Sequence, residues 1–183
     1  MEVKKTVVGY LEENCYLIKN GDEGLIVDPG DEIDKILDMI GDTKIVGVLI
    51  THAHFDHIGA LDDLLKKYDV PIYYHNINNE LHYDKLIDVK EEEYNVGSFN
   101  FTVIYTPGHR NDSVTYSMNN SMFTGDFIFN LSIGRTDLEY GSMEDMRSSI
   151  IKIRSYSNII TIYPGHGKNT DLGYEKKYNS YFL

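Results

Sequence analysis

Residues 51–60 read THAHFDHIGA, so three of the chain's seven histidines fall within six positions of one another, around Asp56. Imidazole and carboxylate groups are costly to desolvate and gain little from packing, so a hydrophobic core has no use for this cluster. Metal ligation has. In extended chain, residues two apart point the same way, so His52 and His54 can grip one ion together. Asp56 and His57, at the start of a helix, leave in another direction and can serve a second ion. Three more candidates stand in turns directly after apolar runs: His109 in TPGH, Asp126 in TGD and His166 in PGHG. His52, His54 and His109 then belong to one metal and Asp56, His57 and His166 to the other, with the two oxygens of Asp126 as a bridge. Each set leaves its ion short of a full shell, and the shared gap suits a water or hydroxide, the mark of a catalytic site rather than a structural one.

The chemistry this predicts is metal-assisted hydrolysis. Two cations lower the pKa of a shared water from about 15.7 towards 7, so hydroxide is available at neutral pH without a serine or cysteine nucleophile. Asp56 is the expected catalytic residue, orienting the hydroxide while helping to hold the metal. Asp28, at a strand end before Pro29, is placed to support a ligand from behind. His and Asp donors suit zinc, iron and manganese, and two divalent ions, zinc first, are expected.

The elements that must deliver these groups can be read from the apolar pattern. NCYLIKNGDEGLIVDPG has the form of two strands joined by an Asn-Gly-Asp turn. Ile33, Ile36, Leu37 and Ile40 follow at helical spacing, and Ile45–Thr51 is a continuous apolar run, as in a strand buried on both faces. Ile58, Leu61, Leu64, Leu65 and Tyr68 share a second helical face, and Met143, Met146, Ile150 and Ile153 a third. FTVIYT, SMFT and NIITIY each end at a turn that bears a candidate ligand. Ligands that follow strand ends converge on one edge of the sheets, where α/β folds place their sites. Strand, loop and helix alternate in both halves, which implies an α/β protein with sheets covered by helices.

Composition narrows the function classes. The 183 residues contain no linker or composition shift and are expected to form a single domain, 1–183. A formal net charge of −12 argues against gripping nucleic acid through its phosphates. No apolar run approaches the roughly 20 residues of a membrane span, and the N-terminus does not read as a signal peptide. One cysteine, Cys15, excludes an internal disulfide and reads as a small buried strand residue, in keeping with a cytoplasmic location. His75, ending the run PIYYH, and His82, in a polar helical stretch, read as ordinary surface or capping residues.

The motifs VDPG (27–30), THAHFDH, TPGH, GD and PGHG (164–167) together resemble the metallo-β-lactamase superfamily. SIGRTDL (132–138) and the ending GYEKKYNSYFL are similar to the short bacterial glyoxalase II-like, hydroxyacylglutathione hydrolase-like members. The resemblance implies a four-layer αβ/βα sandwich with a dinuclear metal site at its rim. It also implies a small-molecule thioester substrate such as S-lactoylglutathione, cleaved by a metal-bridging hydroxide. Asp126 sets the chain apart from family lactamases, which generally lack the bridge, and His54 from flavodiiron proteins, which carry Glu there. Two alternatives share the fold: a persulfide dioxygenase with one iron on His52, His109 and Asp126, and a lactonase. By the same resemblance Arg135 is expected beside a substrate carboxylate, with Lys168 a weaker candidate for that role. Arg110, replacing the Thr of the usual TPGHT, is expected at the mouth of the site. Longer glyoxalase II enzymes hold glutathione with a C-terminal helical region beyond the length of this sequence, so a weaker grip on the thiol half is expected.

Overall fold

Two six-stranded sheets form the centre of the structure, a computed structural model that describes residues 1–183. The first sheet sets β1 (Glu2–Val8), β2 (Glu13–Asn20), β3 (Glu23–Val27), β4 (Lys44–Leu49), β5 (Ile72–Tyr74) and β6 (Leu86–Asp88) side by side in chain order. The chain continues through β7 (Glu93–Val96), β8 (Phe99–Tyr105), β9 (Val114–Met118) and β10 (Ser121–Gly125). A two-stranded ribbon of β11 (Ile128–Phe129) and β12 (Ser132–Ile133) intervenes before β13 (Thr161–Pro164) and β14 (Thr170–Asp171). The second sheet has the order β14-β13-β10-β9-β8-β7.

Period-two alternation of apolar residues builds the layers. Along β2, Cys15 and Leu17 face one core while Tyr16 and Ile18 face another; Ile26 is set against Leu25 and Val27 in the same way. The first core is closed by Ile36 and Ile40 of α1 (Ile33–Ile40) and by Leu61 and Leu64 beyond the loop that bears His52, His54 and Asp56. The second core lies between the sheets, where Phe101, Tyr116 and Phe123 meet Tyr16, Leu25 and Leu49. On the far side, Ile104, Met122 and Ile162 pack on Met146, Ile150 and Ile153 of the helix Met143–Ile153, with Leu172 from the C-terminal segment. Helix, sheet, sheet and helix stack as the expected αβ/βα sandwich. Burial on both faces explains why β3 and β4 read as unbroken apolar runs.

Local departures from the pattern have local causes. The helix predicted from Ile58 to Tyr68 is two short ones, α2 (Phe55–Ile58) and α3 (Leu61–Leu65). Between them the Ala60 N–H donates to Pro29 O instead of to the preceding turn, because the Asp28–Gly30 loop docks there. β1 pairs with β2 over seven residues, yet it is an edge strand with four exposed positions and carries little apolar signal. His82 lies in a loop, not a helix: Asn76 Oδ1 accepts the Glu80 and Leu81 N–H groups and turns the chain. In α4 (Met143–Ile153) Met146 is buried, but Met143, on the first turn, is exposed.

The topology then sets the site. β4 runs parallel to β3 and β10 parallel to β13, so the segments leaving β4, β10 and β13 emerge at one edge. Backbone bonds lace the sheets together at this edge, from Val114 N to Thr51 O at 2.9 Å and from Asn14 N to Gly165 O at 2.7 Å.

Candidate metal centre

Seven side chains predicted as ligands, from four separate segments, are brought together at that edge. His52 Nε2 and His109 Nε2 lie 3.1 and 2.8 Å from His54 Nδ1. Three imidazole nitrogens each bound at about 2.0–2.1 Å around a tetrahedral ion would stand roughly 3.4 Å apart, so this cluster needs little adjustment to take a metal. Beside it, Asp56 Oδ2 lies 3.3 Å from His166 Nε2 and 3.8 Å from His57 Nε2. Asp126 faces both groups, with Oδ2 3.5 Å from His109 Nε2, and Oδ1 3.3 and 3.5 Å from the Nε2 atoms of His57 and His166.

The remaining ring nitrogens are tied to the protein. His109 Nδ1–H donates to Arg135 O at 2.8 Å, and His166 Nδ1–H to Leu11 O at 3.0 Å. His57 Nδ1–H meets Asp28 Oδ2 at 3.0 Å, and His52 Nδ1 contacts Thr51 Oγ1, which itself donates to Asp28 Oδ2 at 2.6 Å. These bonds leave the Nε2 lone pairs of four histidines directed inward. Asp28 thus braces candidate ligands in both groups, His57 directly and His52 through Thr51. Its φ of +49° is one that asparagine also adopts readily, so Asp28→Asn changes the bonding without straining the backbone. We expect that variant to bind zinc about 10- to 100-fold more weakly, measured by competition with a chromogenic chelator. Unchanged affinity would remove Asp28 from this role.

Electrostatics divides the centre. Burial, then neighbouring imidazoles, holds His52 well below the usual imidazole pKa, and His54 falls to about 4 through burial and His109. Burial also lowers His109. These three rings are neutral at pH 7, the form that ligates metals. On the other side burial opposes charge on His57, but Asp126 and Asp28 outweigh it and raise its pKa well above the ordinary value. Burial likewise opposes charge on His166, which Asp56 and Asp126 raise. Asp126 is held at about 2 despite its burial, chiefly by His57. This half is therefore built to hold positive charge. Two of its buried atoms, His57 Nε2 and Asp126 Oδ1, have no hydrogen-bond partner. Orphaned buried polar atoms are rare, and a cation between them would satisfy both. The residues present fit a metal.

Close backbone approach is part of the fit. A Cβ on Gly165 would overlap the Asp126 carboxylate and come within 2.7 Å of His57 Cε1, so only glycine lets β13 deliver His166 here. A further carboxylate absent from the sequence reading, Glu13, lies buried 3.9 Å from His57 Nδ1, and burial raises its pKa well above the usual carboxylate range. It stands between Glu12 and Asn14 at the start of β2, where a polar run reads as a solvated strand end, and nothing in the local sequence marks it.

The cations near the site are less free than the sequence suggests. Arg135 lines the cavity over the cluster, but its Nε and Nη2 bond both carboxylate oxygens of Asp137 at 2.8 and 2.9 Å. Lys168 is exposed and does not line that cavity. Arg110 is 6% exposed and away from the mouth, paired with Asp112 and Glu80 and lying 5.2 Å from the centre of the Tyr140 ring. Asp112 stands only two residues beyond and is fully buried, which draws the guanidinium inward.

A family model, the metallo-β-lactamase superfamily, matches residues 8–166. The chain belongs to that superfamily. It is 34% identical to a probable metallo-hydrolase, YqgX, of Bacillus subtilis, over 99% of this chain and 97% of that protein. It is 28% identical to the hydroxyacylglutathione hydrolase GloC of Haemophilus influenzae, over 99% and 98% of the two chains. Among solved structures, the B3 metallo-β-lactamase BLEG-1 superposes with a TM-score of 0.91 at 30% identity, covering 100% of both chains. TTHA1623 in a di-iron-bound form gives 0.87 at 30% identity, covering 98% of this chain and 100% of the other. The superfamily member described here is a metal-dependent hydrolase, and none of its helices is long and apolar enough to cross a membrane.

Proposed function

We propose that the chain is a two-metal thioesterase of the glyoxalase II-like kind, acting on a small thioester. The observation that carries the two-metal reading is Asp126, whose two oxygens face separate histidine groups at 3.3–3.5 Å. The di-iron form of TTHA1623 supports it. His52, His54 and His109 would hold one ion, Asp56, His57 and His166 the other. When bound, the pair supplies acidified water and Lewis-acid polarisation of a carbonyl. The chain's own part is to keep three rings neutral, to fix the Nε2 lone pairs of four rings and to aim the Asp56 carboxylate at the reacting centre. Apart from Arg135 and the Tyr10 hydroxyl, every polar group lining the cavity belongs to one of the seven candidate ligands. With Arg135 paired and the Tyr10 hydroxyl on the outer, solvent-facing wall, no buried acid is held against the cluster to protonate a poor leaving group, which favours a thiolate. The name of GloC points the same way.

The test is an anaerobic assay of S-lactoylglutathione and simpler thioesters on protein whose metal content has been measured. We expect two ions per chain and cleavage that is independent of oxygen. One iron per chain with oxygen-dependent turnover would replace this reading with the dioxygenase alternative. Preferential opening of a lactone or a β-lactam would keep the hydrolase and discard the thioester.

A further inference from the structure

The cavity above the metal cluster has a volume of about 620 Å³, within the range that holds small organic ligands. Its lining separates sharply by chemistry. Five polar residues are candidate metal ligands, the sixth is Arg135, and the other five are Tyr10, Leu11, Phe55, Phe129 and Leu138. Four of these side chains, three apolar and one the aromatic ring of a tyrosine, are strongly exposed: Tyr10 79%, Phe55 61%, Leu11 42% and Leu138 40%. Tyr10 and Phe55 stack, with centroids 6.4 Å apart and planes at 21°. Large apolar groups gathered around the opening of a polar cluster mark a binding surface.

We infer that this wall is a recognition subsite for an uncharged apolar group of the substrate, aryl or short alkyl, next to the bond that is cleaved. The inference rests on the hydrolase reading above for the identity of the reacting group, while the subsite itself is read from the wall. Two loops build it. Tyr10 and Leu11 belong to the β1–β2 loop, whose Leu11 carbonyl accepts from His166; Arg135, whose carbonyl accepts from His109, leads to Leu138. A group seated on the wall therefore rests on the backbone that orients the ligands. The wall itself offers no charge to an occupant: its five side chains are uncharged, and the neighbouring Arg135 guanidinium is bonded to both carboxylate oxygens of Asp137.

The experiment compares acetyl, butanoyl, hexanoyl and phenylacetyl thioesters on two thiols, uncharged N-acetylcysteamine and anionic glutathione, with the metal-loaded protein. Matching non-hydrolysable thioethers are titrated by calorimetry. A buried methylene is worth about 0.8 kcal/mol, or about fourfold, so kcat/KM and thioether affinity should climb by roughly two- to fourfold per methylene until the cavity fills. Phe55→Ser and Leu138→Ser should flatten this slope to under about 1.5-fold per methylene with metal content unchanged, because both side chains are exposed and neither is a ligand. A flat series in both binding and turnover, or a preference for glutathione of about tenfold or more, overturns the inference. Thioethers that bind with the predicted slope while no thioester is cleaved would uphold the apolar subsite and refute the thioesterase reading.

Discussion

Asp126→Asn should reduce kcat/KM by at least about three orders of magnitude and lower the bound metal from two ions per chain towards one. The substitution keeps the volume of the side chain and removes the single charge that faces both histidine groups. Lewis-acid stabilisation by a metal is worth several kcal/mol, and about 4 kcal/mol corresponds to a thousandfold in rate. The fold should survive, since Asp126 belongs to none of the three apolar cores. Elemental analysis and far-UV circular dichroism accompany the kinetics. A variant that keeps two tightly bound ions, or wild-type turnover, would show that Asp126 does not bridge.

The candidate ligands were legible because their chemistry is local. Three histidines and an aspartate within six positions have no packing purpose, and His109, Asp126 and His166 each follow an apolar run that could only be a buried strand. The sandwich was legible for a related reason: β3 and β4 are apolar on both faces because they lie between two cores. What was not legible depends on contacts between distant segments. Tyr10, Phe55, Phe129 and Leu138 are unremarkable where they stand, and become one wall only after the β1–β2 loop, α2, the β11–β12 ribbon and the Arg135 loop meet over the cluster. Arg135 drew attention as a cation, but its charge is answered two residues along by Asp137. The β1 strand and the break between α2 and α3 were hidden because an exposed edge carries no periodic signal and the break is imposed by Pro29, whose carbonyl takes the Ala60 N–H from another loop.

Asp112→Ala should destabilise the protein by about 3–5 kcal/mol and loosen the metal site as well, although Asp112 is not a ligand. The carboxylate is fully buried and accepts four bonds: Arg110 Nε at 2.9 Å, Arg110 Nη2 at 3.1 Å, the Tyr74 hydroxyl at 2.7 Å and the Ala53 N–H at 3.0 Å. Truncation leaves a buried guanidinium with only Glu80 and the Tyr140 face as partners, orphans the Ala53 N–H, and leaves the Tyr74 hydroxyl only its longer bond to Glu80 at 3.3 Å. Removing one member of a buried pair costs more than the pair contributes, because the surviving charge stays desolvated. For a chain of this size the melting temperature should fall by roughly 10 °C or more. The Ala53 bond gives the change its second effect. Ala53 lies between His52 and His54, so Asp112 fixes the turn that aims both imidazoles. Zinc affinity should drop with stability in Asp112→Ala, whereas Arg110→Met, which leaves Asp112 bonded to Ala53 and Tyr74, should lose stability with a smaller loss of affinity. Thermal melts of the metal-free proteins and chelator competition separate the two effects. A melting temperature within about 2 °C of the parent for Asp112→Ala would show that the buried network carries no such weight.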